Sequence, residues 1–319
     1  MIQNPILPGF NPDPCICRKG DDYYLAVSTF EWFPGIPVYH SRDLKNWELY
    51  THVLTDDEKV DLKKLPSAKG IWAPCLTYCE EEDMFYVVYG VMNSMNARYF
   101  DVDNFMICAK DIRGPWSEPV YLHSSGFDAS MFHDTNGKKY IVSLEWETRE
   151  GYEKPGAICM VEYDPAKKEI VGYPKRIWRG GTDRGCIEAP HLTKRGEYYY
   201  LFASIGTCCN GATSTYQTVV GRSKNVLGPY LDKTGRDMLY DYCEIIMSGN
   251  ETWAGPGHNS ILIQDDVGTD WIIYHGYKKK EAENGRYVLM DKLIWSNDGW
   301  PSVKSNAPSI LEVAPYFQK

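Results

Sequence analysis

The stretch GCIEAPHLTKRGEYYYLFAS, residues 185–204, places a lone acid, Glu188, in an apolar segment that is followed by a polar turn and an aromatic strand. The same order of features begins near residues 11, 72, 127 and 257, so the chain contains five copies of one hairpin unit. In three copies a carboxylate stands where the first strand of the hairpin begins: Asp13, Asp128 and Glu188.

The spacing of the copies predicts the fold. Their equivalent aromatic residues are separated by 55 to 72 residues and are Tyr24, Phe85, Tyr140, Tyr199 and Trp271. A period of this length, with several short strands in each unit, is typical of a β-propeller. We therefore expect an all-β, five-bladed β-propeller that forms a single domain over residues 1–319. The alternative is five unrelated hairpins of another all-β fold.

A propeller would bring the three acids together. The first residues of the inner strands lie around one end of the central channel, which gathers Asp13, Asp128 and Glu188 into one polar pocket. Taken singly, each acid could instead be a strand-end carboxylate that caps backbone N–H groups. For Asp13, which lies between two prolines, an Asx-turn is the specific alternative.

Bulk properties exclude several classes of function. A net charge of −9 argues against a nucleic-acid partner, which requires a basic face. No stretch of about 18 apolar residues is present, so we expect no membrane span. The N-terminus lacks the basic start and apolar run of a signal peptide, which predicts a cytoplasmic protein. The oligomeric state stays open, a homo-oligomer included.

The cysteines fit a reducing compartment. The chain has 10 of them, and without an export signal we expect free thiols rather than disulfides. No pair of Cys-x-x-Cys sequences occurs, so the spacing does not predict a structural zinc site.

Three short motifs resemble those of family 43 glycoside hydrolases: NPDP at 11–14, GFD at 126–128 and IEAPH at 187–191. Their order and spacing match, and the resemblance covers essentially the whole chain. It implies a five-bladed propeller that hydrolyses xylosides or arabinosides with inversion, acting on a small oligosaccharide.

The resemblance also implies roles for single residues. Asp13 would be the general base and Glu188 the general acid. Asp128 would orient the acid and keep it protonated, because a neighbouring negative charge raises the pKa of a carboxyl group. Arg286 matches a substrate-contacting arginine and His258 a pocket-lining histidine.

Two aromatic positions are further candidates for sugar contacts. Phe30 and Trp32 stand at the loop end of a strand and could line the pocket. Trp72 could stack on a sugar ring, although simple burial is the alternative.

The substrate signals conflict. Residues 28–35 resemble the β-xylosidase branch of the family, whereas residues 208–216 and 255–259 resemble the arabinanase branch. We expect an exo-acting β-xylosidase, with an arabinanase or α-L-arabinofuranosidase as the alternative. Many β-xylosidases of the family continue into a C-terminal β-sandwich, and we expect none here because the sequence ends at Lys319.

His275 lies in an apolar strand of the fifth copy and has two interpretations. It could be a buried core histidine that is hydrogen-bonded to the backbone. By resemblance, it could instead be the protein ligand of a divalent cation, calcium in the first instance, which several family members hold in the channel behind the acids.

Two rival functions remain. A non-catalytic propeller that binds sugar or protein would not need the acids. A sialidase-like propeller would need an arginine cluster and a tyrosine nucleophile, and no arginine triad is evident.

Overall fold

The computed structural model describes residues 1–96, 99–151, 156–179 and 186–317. The first half of this described chain contains β1 (Ile2–Gln3), β2 (Cys15–Lys19), β3 (Asp22–Ala26), β4 (Gly35–Ser41), β5 (Glu48–Leu54), β6 (Gly70–Cys79), β7 (Met84–Asn96), β8 (Tyr99–Ala109), β9 (Val120–His123), β10 (Ser130–His133), β11 (Lys139–Glu145), β12 (Ala157–Asp164) and β13 (Glu169–Arg179). The second half contains β14 (Cys186–Arg195), β15 (Tyr198–Gly206), β16 (Gln217–Ser223), β17 (Glu244–Met247), β18 (Trp253–Gly257), β19 (Ile263–Gln264), β20 (Asp270–Lys278), β21 (Tyr287–Lys292), β22 (Ile294–Trp295), β23 (Pro301–Ser302) and β24 (Leu311–Glu312).

Helical structure is confined to short 3-10 turns: Gly211–Thr213, Met238–Tyr240, Lys279–Asn284 and Lys304–Asn306. Among the described residues, no helix has the length and apolar character needed to cross a membrane.

The strands form five antiparallel blades. Four blades contain four strands each in sequence order, namely β2–β5, β6–β9, β10–β13 and β14–β17. In the fifth blade, β18 and β19 lie along one edge of β20 and β21 lies along the other. The repeated hairpins of the sequence are the two inner strands of each blade, so the predicted five-bladed, single-domain propeller is confirmed.

The N-terminal segment completes the fifth blade. The backbone N–H of Ile6 donates to the Val288 carbonyl at 2.9 Å, and the N–H of Val288 donates to the Leu7 carbonyl at 3.0 Å. Asn4 extends this pairing with its side chain, which exchanges hydrogen bonds of 3.0 and 2.9 Å with the backbone of Met290. These contacts close the ring, because they join the chain that precedes blade one to the outer edge of blade five.

Clusters of buried apolar side chains fill the spaces between neighbouring blades. Between blades one and two, Tyr24 meets Phe85 edge-on with ring centroids 5.6 Å apart. Between blades three and four, Phe132 meets Tyr199 in the same way at 6.0 Å. Edge-to-face pairs contribute about 0.5–1.5 kcal/mol beyond their buried area. The regularly spaced aromatic residues therefore hold neighbouring blades together.

One backbone feature recurs at the channel end of every blade. One residue of the innermost segment of each blade has a left-handed conformation, with φ between 41° and 57°. Asp13 and Asp128 lie two residues before β2 and β10, Ala73 and Ala189 lie within β6 and β14, and His258 directly follows β18. Residues other than glycine rarely adopt this conformation, because Cβ crowds the backbone. Five equivalent cases indicate a kink imposed by the propeller, and this kink turns the side chains at its apex towards the channel mouth.

The ring closure leads to a stability prediction. Asn4→Ala should lower the free energy of unfolding by about 2–4 kcal/mol, since it removes buried hydrogen bonds and leaves the Met290 backbone groups unpaired. Urea unfolding curves would measure the change. Gln3→Ala, at an exposed neighbouring position, should change it by less than about 0.5 kcal/mol. Equal effects of the two substitutions would contradict a closing role for Asn4.

Candidate active site

The three acids lie in one pocket of about 200 Å³ at the channel mouth. Asp13 and Asp128 occupy the left-handed positions of blades one and three, whereas Glu188 precedes the left-handed residue of blade four, Ala189, by one position. The acids therefore do not stand at one identical point of the repeat. The kink turns Glu188 in a different direction from the other two, and its counterpart in blade two is Trp72.

Asp13 is held by groups from blade five and from its own blade. Nη1 of Arg286 in blade five donates to Oδ1 at 3.0 Å. The hydroxyl of Ser28 donates to Oδ2 at 2.6 Å, and the same hydroxyl accepts the N–H of Ala73 at 2.7 Å. These contacts fix the carboxylate through both oxygens, so its orientation is set before any ligand arrives.

Two histidines complete the surroundings of Asp13. Nδ1 of His258 lies 3.4 Å from Oδ1 of Asp13 and 3.9 Å from Oδ2 of Asp128, so it stands between the two acids. Nδ1 of His275 accepts the backbone N–H of Asp13 at 3.0 Å. Burial lowers the pKa of both histidines, so both are neutral at pH 7.

The pKa of Asp13 is lowered despite its burial. Removal from water acts to raise the pKa, but the Arg286 guanidinium, the two histidines and the Ser28 hydrogen bond outweigh it and hold the pKa well below the ordinary range. Because the histidines are neutral near pH 7, Arg286 is the cation responsible there. Asp13 is therefore a carboxylate at every pH of interest.

Asp128 and Glu188 are shifted in the opposite direction. Burial raises the pKa of Asp128 well above its usual value, and the charges of Glu188 and Asp13 raise it further, although the Ala189 N–H donates to Oδ2 at 3.0 Å. Burial also raises the pKa of Glu188, which the nearby Tyr216 hydroxyl opposes and the Asp13 charge reinforces. The pocket thus contains one ionised carboxylate beside two carboxyl groups that favour their protonated forms.

Tyr216 reaches this site because a glycine makes room for its ring. A Cβ atom at Gly257 would lie 2.2 Å from the Tyr216 ring, so only glycine fits there. The ring stacks on His275 with centroids 5.8 Å apart. Tyr216 therefore packs against His275 and lies near Glu188.

Aromatic side chains form one wall of the pocket. Phe30 meets Trp72 edge-on at 6.4 Å, Trp72 meets Phe127 at 5.7 Å, and Phe127 meets Phe100 at 5.6 Å. This wall offers flat apolar faces opposite the polar acids, an arrangement suited to a sugar ring. Trp32 differs from the prediction, because it is 57% exposed and packs on Phe10 outside the pocket lining.

The structure brings together the other binding residues proposed from the sequence. Phe30, Trp72, His258 and Arg286 all line the pocket with the three acids. Arg286 also has a role that sequence reasoning missed, which is its ion pair with Asp13. Its Nε atom is buried without a hydrogen-bond partner among the described residues, so this group is free for a ligand hydroxyl.

Several pocket residues were not predicted from the sequence. Ser28 and Tyr216 lie within segments that resemble family branches, and only the folded structure reveals their contacts with the acids. Cys208 and Cys209 also line the pocket. In the sequence, the available signal for a tight loop at this place was an adjacent cysteine pair followed by a glycine, Gly211. In the structure Gly211 has a left-handed conformation.

The sequence pattern of Glycosyl hydrolases family 43 matches residues 2–301. The chain belongs to this family. A Beta-xylosidase of Bacillus subtilis is 39% identical over 98% of this chain and 58% of its own length. The crystal structure of a xylan beta-1,4-xylosidase from Bacillus halodurans C-125 superimposes with a TM-score of 0.87 at 36% identity, covering all of this chain and 60% of that protein. An extracellular exo-alpha-(1->5)-L-arabinofuranosidase, ArbA of Cellvibrio japonicus, is 31% identical over 91% of this chain and 85% of its own length.

The raised pKa of Asp128 leads to a prediction about stability. A carboxyl group with a raised pKa in the folded state contributes stability below its unfolded pKa of about 3.9, and that contribution is lost as the pH rises through the folded pKa. Asp128→Asn stays neutral and keeps an oxygen for the Ala189 N–H. Its melting temperature should therefore exceed that of the wild type by an amount that grows between about pH 4.5 and pH 8.

Thermal melts at a series of pH values would test this expectation. The exposed substitution Asp21→Asn is the matched control, because the same chemical change there involves no burial. A melting-temperature difference that stays constant with pH would show that Asp128 does not bury an unfavourable charge.

Proposed function

We propose that this chain is the catalytic domain of an inverting exo-glycosidase that releases xylose from short β-1,4-xylo-oligosaccharides, with α-L-arabinofuranosides as secondary substrates. The observation that carries the proposal is the meeting of Asp13 and Glu188 in one pocket, with the pKa of Asp13 lowered and that of Glu188 raised. The names of the two xylosidase relatives support the choice of sugar. Because the chain spans 58% of the Bacillus subtilis relative, the activity of the whole protein is part of the proposal.

The two carboxyl groups match the two proton transfers of the reaction. Asp13 accepts a proton from a water molecule as the water oxygen attacks the anomeric carbon. Glu188 donates its proton to the glycosidic oxygen as the bond from that oxygen to the anomeric carbon breaks. Because attack and departure occur on opposite faces of the sugar, the anomeric configuration inverts. Exchange with solvent then returns a proton to Glu188 and removes one from Asp13.

Asp128 acts as a positioning residue in this scheme. It accepts the N–H of Ala189, the residue after the acid, and so fixes the backbone that carries Glu188. While Asp128 is protonated, it places no negative charge beside Glu188. Ionisation of either carboxyl group raises the pKa of the other. The pair therefore retains a proton at a higher pH than an isolated carboxyl group would.

The size of the pocket supports exo action. Its volume of about 200 Å³ lies below the range of about 300–1,000 Å³ that is usual for sites binding drug-sized ligands. The aromatic wall and the acids therefore suit one sugar unit at a chain end better than the middle of a polymer.

An arabinan-directed activity is the second candidate. The segment that carries Cys208, Cys209 and Tyr216 contributes to the pocket and resembles the arabinanase branch. ArbA, whose name describes exo action on α-1,5-linked arabinofuranose, also matches most of this chain.

A substrate panel with product analysis tests the proposed function. Purified protein should release xylose from xylobiose and leave linear arabinan largely uncut, and NMR of the fresh product should show the inverted anomer. Asp13→Ala should abolish nearly all turnover. Glu188→Ala should lose far more activity on xylobiose than on an aryl xyloside, because a good leaving group needs little protonation.

Each outcome of this panel separates the candidates. Internal cleavage of arabinan with little xylose formed would favour the arabinanase alternative. Binding of sugar without turnover, unaffected by Asp13→Ala, would indicate a non-catalytic propeller. Equal losses on both xylosides would remove Glu188 from the role of the acid.

We also propose that a divalent cation, calcium in the first instance, binds in the channel beside His275. Nε2 of His275 is fully buried and has no hydrogen-bond partner among the described residues, so this atom fits a ligand or a water molecule. Calcium prefers six to eight oxygen ligands, so water molecules would supply most of its shell. Coordination through Nε2 would move the ring proton to Nδ1. The hydrogen bond that Nδ1 accepts from the Asp13 N–H would then be replaced by one donated towards Oδ1 of Asp13, 3.4 Å away.

This cation is expected to affect turnover. EDTA should lower the rate and added Ca²⁺ should restore it, whereas His275→Ala should respond to neither. Isothermal titration of Ca²⁺ into chelator-treated protein would measure the binding directly. Identical rates with chelator and with millimolar calcium, together with no binding heat, would leave His275 as a core residue.

A cytoplasmic location is the remaining proposal. The structure shows no disulfide between the cysteines whose side chains it describes. Free thiols persist in reducing compartments, which supports the location expected from the sequence. Small imported oligosaccharides would be suitable substrates there.

A further inference from the structure

A second ring of polar side chains lies beyond the acids. Counting two residues along each innermost strand from its left-handed position gives one side chain per blade, namely Cys15, Cys75, Ser130, His191 and Ser260. All five are buried. Two members also make hydrogen bonds to the backbone of a neighbouring blade. The Ser130 hydroxyl donates to the Pro190 carbonyl at 2.6 Å, and the Ile16 N–H donates to the Ser260 hydroxyl at 2.8 Å.

Three members of this ring carry atoms that bind soft metal ions. The sulfur atoms of Cys15 and Cys75 and a ring nitrogen of His191 all lie within 4.8 Å of one another. They come from blades one, two and four. Nδ1 of His191 is buried and lacks a hydrogen-bond partner among the described residues. An unpaired buried imidazole nitrogen is a costly arrangement unless another group satisfies it.

The thiols also lack strong partners within the protein. Sγ of Cys15 lies 3.4 Å from the Leu76 carbonyl, and the Ser260 hydroxyl approaches the same sulfur at 3.6 Å. The Met131 N–H approaches Sγ of Cys75 at 3.5 Å. Backbone N–H groups and hydroxyls that point at cysteine sulfur are typical of the surroundings of metal-bound thiolates, whose charge they stabilise.

We propose that Cys15, Cys75 and His191 bind a Zn²⁺ ion, with the Ser260 hydroxyl or a water molecule as the fourth ligand. Zinc binds cysteine sulfur at about 2.3 Å and histidine nitrogen at about 2.0–2.1 Å in tetrahedral geometry, which places two sulfur ligands about 3.8 Å apart. The three ligand atoms, which lie within 4.8 Å of one another, would have to approach to that distance on binding. Binding releases one proton from each thiol, and the two thiolates neutralise the ion, so the buried site carries no net charge.

This site differs from the proposed calcium position. The two share no ligand, and calcium requires oxygen ligands, whereas the Cys15–Cys75–His191 site offers sulfur and nitrogen. The zinc ion would connect three of the five blades across the channel beneath the acids. It would stabilise the folded chain, since an ion that binds only the folded state shifts the unfolding equilibrium.

Metal analysis of the whole chain tests the proposal. Protein produced with zinc in the medium and purified without chelator should contain about one zinc per chain. Native mass spectrometry should show a mass increase of one zinc less two protons. Cys75→Ser and Cys15→Ser should each lose most of this zinc. Cys17→Ser is the matched control, because Cys17 lies on the same strand but packs between blades one and two, and it should retain the zinc.

Measurements on the wild-type protein test the proposal even if a cysteine variant does not fold. Refolding the wild type with Co²⁺ in place of zinc should produce thiolate-to-cobalt charge-transfer absorption, and removal of the zinc by a strong chelator should lower its melting temperature by several degrees. If the wild type contains no zinc after it has been refolded in the presence of zinc, the proposal is wrong. Equal zinc contents in the wild type, Cys75→Ser and Cys17→Ser would overturn it as well. None of these measurements depends on glycosidase activity.

Discussion

The left-handed residue at the mouth of each blade is the constraint on which the site depends. All five innermost segments turn through a left-handed residue where they approach the channel mouth. The turn has a conformational cost of order 1 kcal/mol for a residue with a side chain. It also places side chains from five distant segments on one small circle. Chemistry at the channel mouth follows from which residue types occupy that circle and the positions next to it.

Burial of three acids in this circle opposes folding unless their protonation states differ. Two ionised carboxylates in contact away from water would repel each other strongly, and a third would add to this repulsion. The structure resolves the conflict by supplying one buried cation, Arg286, and aiming it at Asp13 alone. The other two acids are left with raised pKa values and a shared tendency to hold a proton. The guanidinium group of Arg286, together with the Ser28 hydrogen bond, therefore separates the pKa of Asp13 from those of the other two acids.

The sequence predicted the features that repeat and missed those that depend on closure of the ring. Five similarly spaced hairpins were sufficient to predict the propeller, and the acids near the starts of three of them were sufficient to predict the pocket. The contact of Arg286 with Asp13 joins residues 273 positions apart, and no local pattern signals it. The one-residue offset of Glu188 was also missed, because the alignment of hairpins does not reveal which residue adopts the left-handed conformation.

The cysteines illustrate the same limit. A search for closely spaced Cys-x-x-Cys pairs detects zinc sites that are built from local loops, and it detects nothing when each ligand comes from a different blade. Cys15 and Cys75 are separated by one period of the repeat, and His191 lies two periods further along the chain. Positions two residues beyond each kink were the relevant ones, and the kink itself becomes visible only in the folded chain.

The pairing of residues 4–7 with blade five has a consequence for the order of events during synthesis. Asn4 and Met290 lie 286 positions apart, so the ring stays open until residue 290 has left the ribosome. Contacts of such long range form late in folding, because the intervening chain must first be ordered. Arg286 emerges in the same final portion. A nascent chain therefore carries Asp13, Asp128 and Glu188 without their buried cation, and the carboxyl groups acquire their distinct protonation states only when the last blade arrives.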